Sequence, residues 1–188
     1  SLLKAVQNYQ ANYGTAIVME VQTGEIKAIA NLNRKKRGDK VYYREDYNYA
    51  VGNAVEPGST FKLASMIALF EETSLQLDDT IYTGNGYYDF SNDGTAVMTD
   101  SKAGGHKMLT IQEVVEKSSN IGVSKLVHRF FGQNANTSQR YVDYLESMHL
   151  TKSLKFEIKG SASPIVKKVK DWSPTTLPWM SIGYETQM

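Results

Sequence analysis

Apolar residues recur with helical spacing in several stretches of the chain. Side chains three and four positions apart fall on one face of a helix, so these stretches predict amphipathic helices. The sequence predicts helices over residues 2–13, 59–72, 110–117, 121–131 and 138–148. A Thr-x-x-Glu capping box opens the third helix at Thr110, and the helix breakers Pro57 and Gly58 directly precede the second.

The remaining segments predict hairpins and loops. β-Prone runs on both sides of Gln22-Thr-Gly-Glu25 predict a hairpin over residues 15–30, and shorter hairpin-like pieces lie within residues 78–107. Residues 31–58 are polar and are interpreted as a long irregular loop whose basic cluster, between Arg34 and Lys40, is solvated. The mixture predicts an α/β (α+β) fold.

Length and composition narrow the possible functions. The chain has 188 residues, of which 41% are hydrophobic and 22% charged, so it is long enough for one domain with a core and is not a disordered segment. A net charge of +1 gives no global reason to expect nucleic acid as a partner. The absence of cysteine excludes disulfides and thiolate metal sites, and the 3 histidines are too scattered in sequence to suggest a metal site.

The first candidate for chemistry is Glu56-Pro-Gly-Ser-Thr-Phe-Lys62. Ser59 is expected at a helix N-terminus, and Lys62 follows one turn later on the same face. A serine hydroxyl becomes a useful nucleophile when a neighbouring base takes its proton, and a lysine with a depressed pKa can be that base. Taken alone, the pattern occurs often by chance and favours a simple helix cap followed by an exposed lysine.

The second candidate is Ser118-Ser-Asn120, at a break between two predicted helices. Ser118 could relay a proton to a leaving amine, and the amide of Asn120 could hold Lys62 and a substrate amide. The alternative is a local cap in which Ser119 or Asn120 starts the next helix. Asp100 could be a catalytic carboxylate, but a turn or cap role is the favoured interpretation.

Together the two motifs resemble those of the transpeptidase domain of class B penicillin-binding proteins. That family carries Ser-x-x-Lys, Ser-x-Asn and Lys-Thr/Ser-Gly motifs, and the first two match Ser59 to Lys62 and Ser118 to Asn120. The hairpin around Gln22-Thr-Gly-Glu25 and the segment Met180-Ser-Ile-Gly-Tyr184 are also similar to the family, the latter to its division-specific branch. The resemblance implies the fold shared by penicillin-binding proteins and serine β-lactamases, here with a helical subdomain and part of an antiparallel sheet.

The resemblance also implies an activity. Ser59 would attack the penultimate D-Ala carbonyl of a peptidoglycan stem peptide, with Lys62 as base and with Ser118 and Asn120 supporting proton transfer and substrate placement. The acyl group would then pass to an amine on a neighbouring strand, β-lactam antibiotics would acylate the same serine, and no metal or organic cofactor is implied. Two other hypotheses stay open: a serine β-lactamase or β-lactam sensor, and a non-catalytic division scaffold.

Two departures from the family pattern affect this interpretation. No Lys-Thr-Gly or Lys-Ser-Gly follows Asn120, so residues 1–188 are interpreted as a partial transpeptidase domain that lacks its C-terminal part. A fragment without that strand is expected to be poorly stable or associated, and not to form a durable acyl-enzyme. Tyr49 stands where arginine is common in the family, which affects a local loop contact.

The resemblance places the parent protein at the cytoplasmic membrane, on its extracytoplasmic (periplasmic) side. Class B proteins hold that position through a single membrane anchor, expected here outside this chain. The implied partners are peptidoglycan stem peptides, β-lactams and cell-division or cell-wall synthesis proteins, with no nucleic acid.

Overall fold

The computed structural model describes residues 1–154 and 157–188, which form two compact units. The first unit consists of Ser1–Ala54 with a short segment that ends at Ala162, and the second of Val55–Leu154 with Ser163–Met188. Within the described ranges, none of the helices has both the length and the apolar character that crossing a bilayer requires.

The first unit is built on a three-stranded antiparallel sheet in the order β1-β2-β3. Its elements are α1 (Leu2–Asn8), β1 (Tyr13–Met19), β2 (Ile26–Arg37), β3 (Lys40–Arg44) and α2 (Tyr49–Gly52). The hairpin predicted over residues 15–30 is confirmed as β1 and β2, which pair from Tyr13↔Asn33 to Met19↔Ile26.

The first helix is shorter than the predicted 2–13. The backbone of Gln10 has φ 50°, which ends the helix and turns the chain toward β1. The hydroxyl of Tyr43 lies 3.0 Å from the carbonyl oxygen of Val6 and 2.9 Å from that of Ala11, so a distant strand contributes a hydrogen-bond donor where the helix ends.

The long loop predicted over residues 31–58 is wrong in its first part. The basic cluster forms the second half of β2, which turns at Gly38 (φ 60°) and pairs with β3 from Asn33↔Arg44 to Arg37↔Lys40. Backbone hydrogen bonds between the strands stabilise this pairing. Because such bonds do not require alternating apolar side chains, the sequence pattern does not predict these strands. Further along the chain the polar stretch contains only the short helix α2.

The second unit carries the remaining helices and strands. The helices are α3 (Lys62–Glu72), α4 (Ile111–Glu116), α5 (Asn120–Phe131), α6 (Ala135–Ser147) and α7 (Thr176–Met180). The strands are β4 (Thr80–Gly84), β5 (Tyr87–Asp89), β6 (Val97–Thr99), β7 (Lys107–Thr110), β8 (Ile165–Val166) and β9 (Thr186–Gln187), paired as β4-β7, β5-β6 and β8-β9. Two 3-10 turns, Gly58–Phe61 and Val169–Asp171, complete it.

The hydrophobic core of the second unit explains why these helices form. The apolar faces of α3, α5 and α6 are buried against one another, with Leu69, Val127 and Tyr141 fully inaccessible to solvent. Full burial of a side chain of this size stabilises the folded state by roughly 1.5–3 kcal/mol. The predicted capping box is confirmed, since Thr110 and Glu113 bond each other's backbone N–H at 3.1 and 3.0 Å.

Candidate active site

The turn that carries Ser59 leads directly into α3. Its first residue, Gly58, has φ 59°, and the following residues form a 3-10 turn rather than the α-helical turn that the sequence predicts. The hydroxyl of Thr60 donates to the carbonyl of Pro57 at 2.8 Å, and the backbone N–H of Lys62 donates to the carbonyl of Ser59. The side chain of Ser59 is exposed at the start of the helix, where a substrate can reach it.

Lys62 is the first residue of α3, and its side chain points inward. Only 6% of the residue is accessible to solvent, which is unusual for a lysine. Its Nζ atom donates to the carbonyl oxygen of Ser118 at 2.6 Å and lies 3.0 Å from the hydroxyl oxygen of Ser118. The structure therefore brings together two of the predicted site residues that are far apart in the chain.

Burial changes the acid–base behaviour of this lysine. Removing the ammonium from water lowers the pKa of Lys62 to about 8, against a smaller opposing effect from the negative charge of Asp100. With a pKa of about 8, roughly a tenth of Lys62 is neutral at pH 7. A neutral amine has the lone pair that a general base needs.

Ser118 occupies a strained backbone position at the end of α4. Its φ is 50°, and the flanking hydrogen bonds, Ser118 N to Val115 O and Ser119 N to Val114 O, both at 3.0 Å, form a Schellman motif. Glycine is the usual residue at that position, because a side chain there costs about 1 kcal/mol or more. Serine at this point places a hydroxyl beside Lys62, and strain of this kind is frequent at functional sites.

The two residues after Ser118 begin α5. Ser119 is the N-cap, since its buried hydroxyl accepts from the N–H of Gly122 at 2.9 Å. The amide of Asn120 donates to the carbonyl of Thr99 at 2.8 Å, and the residue is half-buried. The cap that the sequence offered as an alternative to catalysis therefore belongs to Ser119, which leaves the Ser118 side chain beside Lys62.

Asp100 ties this junction to strand β6. One carboxylate oxygen accepts from the Ser119 hydroxyl at 2.8 Å, and the other from the backbone N–H of Ile121 at 3.1 Å. This is the capping role that the sequence favours for Asp100. Its electrostatic effect on Lys62 was not predicted, because a single aspartate near a turn carries no signal of what lies across the fold.

Of the four predicted site residues, the structure joins Lys62 and Ser118 directly and holds Asn120 at the start of the adjoining helix. Ser59 precedes Lys62 by one turn, and its hydroxyl makes none of the hydrogen bonds found among the described residues. Catalytic hydrogen bonds are often long without substrate, so this geometry is compatible with a nucleophile. The arrangement contains a serine hydroxyl, a buried lysine and a second serine hydroxyl, which are groups that acyl transfer through serine uses.

Known proteins provide an independent comparison by sequence. The family model described as the penicillin binding protein transpeptidase domain matches residues 14–186. The probable peptidoglycan D,D-transpeptidase PenA of Neisseria gonorrhoeae is 28% identical over 192 residues, which cover 100% of this chain and 30% of that protein. The peptidoglycan D,D-transpeptidase FtsI of Buchnera aphidicola is 28% identical over 185 residues, 97% of this chain and 30% of that protein.

A comparison of structures agrees with the sequence matches. The apo structure of the TP domain from Burkholderia pseudomallei penicillin-binding protein 3 matches with a TM-score of 0.79 and 26% identity, over 100% of this chain and 49% of that one. The predicted fold class is confirmed by this match. The chain spans about 30% of the length of the two curated relatives. Since the family model matches most of its residues, the chain belongs to the penicillin-binding protein transpeptidase domain family.

Proposed function

We propose that this chain belongs to a peptidoglycan D,D-transpeptidase that cross-links stem peptides through an acyl-enzyme on Ser59. The observation that carries the proposal is the buried Lys62, whose Nζ lies 3.0 Å from the Ser118 hydroxyl oxygen. A lysine with its pKa lowered by burial, one turn after an exposed serine, is the arrangement that serine activation requires. The names of the relatives from Neisseria and Buchnera support the same reaction class.

In the acylation step the Ser59 oxygen bonds to the carbonyl carbon of the penultimate D-Ala. The Ser59 proton passes to neutral Lys62, and the developing oxyanion is favoured near a helix start, where backbone N–H groups are unpaired. The C–N bond to the terminal D-Ala then breaks, and the nitrogen takes a proton from Lys62 through the Ser118 hydroxyl. A hydroxyl can accept and donate at once, which suits Ser118 as a relay.

The second step transfers the acyl group. An amine from a neighbouring strand attacks the ester carbonyl, gives its proton through Ser118 to Lys62, and displaces the Ser59 oxygen, which is reprotonated. Asn120 sits at the same helix start and can hold the backbone of the donor peptide with its amide. A β-lactam carries a reactive amide carbonyl, so it would acylate Ser59 by the first step alone.

The names of the relatives and the resemblance support a proposed cellular role. A relative named FtsI and the segment Met180-Ser-Ile-Gly-Tyr184 support a role in division, with action on the extracytoplasmic side of the cytoplasmic membrane. Peptidoglycan stem peptides and β-lactams are the expected ligands, and division proteins the expected partners.

The test uses the protein that contains this chain, in wild-type form and as Ser59→Ala. Fluorescent penicillin is expected to label the wild type stoichiometrically, with the modified peptide containing Ser59, and not to label the variant. The wild type should also release and exchange the terminal D-Ala of a stem peptide, and the variant should not. Wild-type protein that never labels would contradict the proposal, and an acyl-enzyme that hydrolyses within seconds would identify a β-lactamase instead.

A further inference from the structure

Residues 181–188, named here the C-terminal brace, contact the nucleophile turn from a distant part of the chain. Val55 and Met188 exchange two backbone hydrogen bonds of 3.0 Å, and the N–H of Gly58 donates to the carbonyl of Gly183, also at 3.0 Å. These contacts lie on both sides of Glu56 and Pro57, the residues that lead into the turn. The position of Ser59 therefore depends on where the brace lies.

Gly183 is the point of closest approach between the brace and the turn. Its φ is 85°, and a Cβ added there would lie 2.1 Å from the carbonyl oxygen of Gly58 and 2.6 Å from its nitrogen. Both the backbone conformation and the lack of space restrict the position to glycine. Since the obstructing atoms belong to the backbone, the overlap is relieved only if the turn and the brace move apart.

On its other side the brace is fixed to the helix that follows Ser59. The buried hydroxyl of Ser65 donates to the carbonyl of Ser181 at 2.7 Å, and Tyr141 contacts the same hydroxyl at 2.8 Å. A serine has one proton to donate, so Tyr141 is the donor in the second bond. Ser65 follows Lys62 by one turn of α3, so the brace contacts this helix near both Ser59 and Lys62.

Glu185 extends these contacts to the entry of the turn. Its backbone N–H donates to the carboxylate of Glu56 at 2.9 Å, while its own carboxylate accepts from Lys167 at 2.6 Å and from Thr176 at 3.0 Å. The exposed Glu56 side chain is thus held by a residue whose own position is fixed on two further sides.

We infer that the C-terminal brace positions Ser59 for acyl transfer, with Gly183 as a positioning residue. This inference rests on the proposed function, because it assumes that Ser59 is the nucleophile. A displacement of the turn moves the Ser59 oxygen relative to Lys62 and the substrate carbonyl. A misplacement of about 1 Å can slow a reaction about a hundredfold.

The first test is Gly183→Ala in the complete protein, measured by stopped-flow acylation with fluorescent penicillin. We expect the acylation rate constant to fall about a hundredfold, while the dissociation constant of the initial non-covalent complex changes far less. The matched control is Gly94→Ala, since Gly94 has φ 83° and open space at its Cβ. It carries the same backbone strain without the contact, so its acylation should stay close to that of the wild type.

A milder pair of variants decides the question if Gly183→Ala does not fold. Glu56→Ala removes the acceptor for the Glu185 N–H and should slow acylation about tenfold, as for loss of one positioning contact. Glu56→Gln keeps an acceptor oxygen and should restore the rate, although it removes the charge. Thermal unfolding of each variant separates slow acylation of folded protein from loss of structure.

The outcomes separate the inference from the function on which it rests. Slow acylation in folded Gly183→Ala and Glu56→Ala, with normal rates in the two controls, supports the brace. If wild-type protein labels at Ser59, two results would overturn the role of the brace but not the proposed function. One is acylation of Gly183→Ala as fast as that of Gly94→Ala, and the other is acylation of Glu56→Gln as slow as that of Glu56→Ala. Wild-type protein that does not label at Ser59 overturns both.

Discussion

The turn that carries Ser59 and the junction that carries Ser118 differ in where their supporting contacts originate. The junction is held by its own helix ends and by Asp100, about twenty residues earlier. The turn is held by the C-terminal brace, in which Glu185 contacts Glu56 although the two are 129 positions apart in the chain. Local contacts hold the proposed proton relay, whereas the turn that carries the proposed nucleophile is held by residues far along the chain.

In both regions, different residues have the proposed chemical roles and the structural roles. At the junction one residue, Ser118, faces the site while its neighbour Ser119 caps the helix. At the turn the proposed chemical residues are Ser59 and Lys62, and several of the residues that hold the turn lie far along the chain. Substitutions can therefore test the proposed chemical residues and the residues that hold them in place separately, both at the turn and at the junction.

The largest effect is expected from Lys62→Met. The side chain keeps its length but loses the amine, so acylation of Ser59 should fall about a thousandfold, within the range that a general base contributes. Lys125→Met is the matched control, because burial also lowers the pKa of Lys125, whose ammonium donates to the carbonyl of Tyr82. The measurement is the second-order rate constant for labelling by fluorescent penicillin, and an equal loss in both variants would contradict the role of Lys62.

The next largest effect should separate the two adjacent serines. Ser118→Ala removes an exposed hydroxyl beside Lys62 and should slow acylation about a hundredfold with little change in thermal stability. Ser119→Ala removes a buried N-cap that also donates to Asp100, and should cost about 1–2 kcal/mol of stability with acylation within a few-fold of wild type. Urea unfolding and penicillin labelling of both variants check this, and the reversed pattern would contradict the assignment.

Much of the second unit could be predicted from the sequence, because its helices carry local signals. The capping box at Thr110, the apolar face of α5 and the break at Ser118-Ser-Asn120 are all confirmed. Helix α6 begins a few residues before the prediction, because Asn134 caps it through the N–H groups of Asn136 and Thr137. Such caps and faces are encoded within a few residues, so periodicity finds them.

The parts that the sequence could not predict depend on distant contacts. The strand formed by the basic cluster is stabilised by backbone pairing with β3, and the end of α1 is completed by Tyr43. The effect of Asp100 on Lys62 and the contact of Gly183 with Gly58 arise only when separate segments meet. Such contacts leave no signal in local spacing. The chemical roles of Ser59, Lys62, Ser118 and Asn120 stay a prediction that rests on the resemblance of the two motifs to the family.

The smallest expected effect concerns the influence of Asp100, at the junction, on the pKa of Lys62. The charge of Asp100 raises the pKa of Lys62 against the lowering caused by burial. Asp100→Asn removes that charge, so the pKa of Lys62 should fall further and more of the lysine should be neutral at a given pH. The acid limb of the acylation rate should therefore move to lower pH.

The pH dependence of acylation tests the central claim, that Lys62 is the base for Ser59. The rate constant for labelling of free wild-type protein by fluorescent penicillin, measured over roughly pH 6 to 10, reports the pKa of the essential base. Because Lys62 has a pKa of about 8 and must be neutral to accept the proton, the rate should rise with pH and reach half its maximum near pH 8. In Asp100→Asn the midpoint should be lower; a rate independent of pH, or a midpoint that moves upward in the variant, would contradict the account.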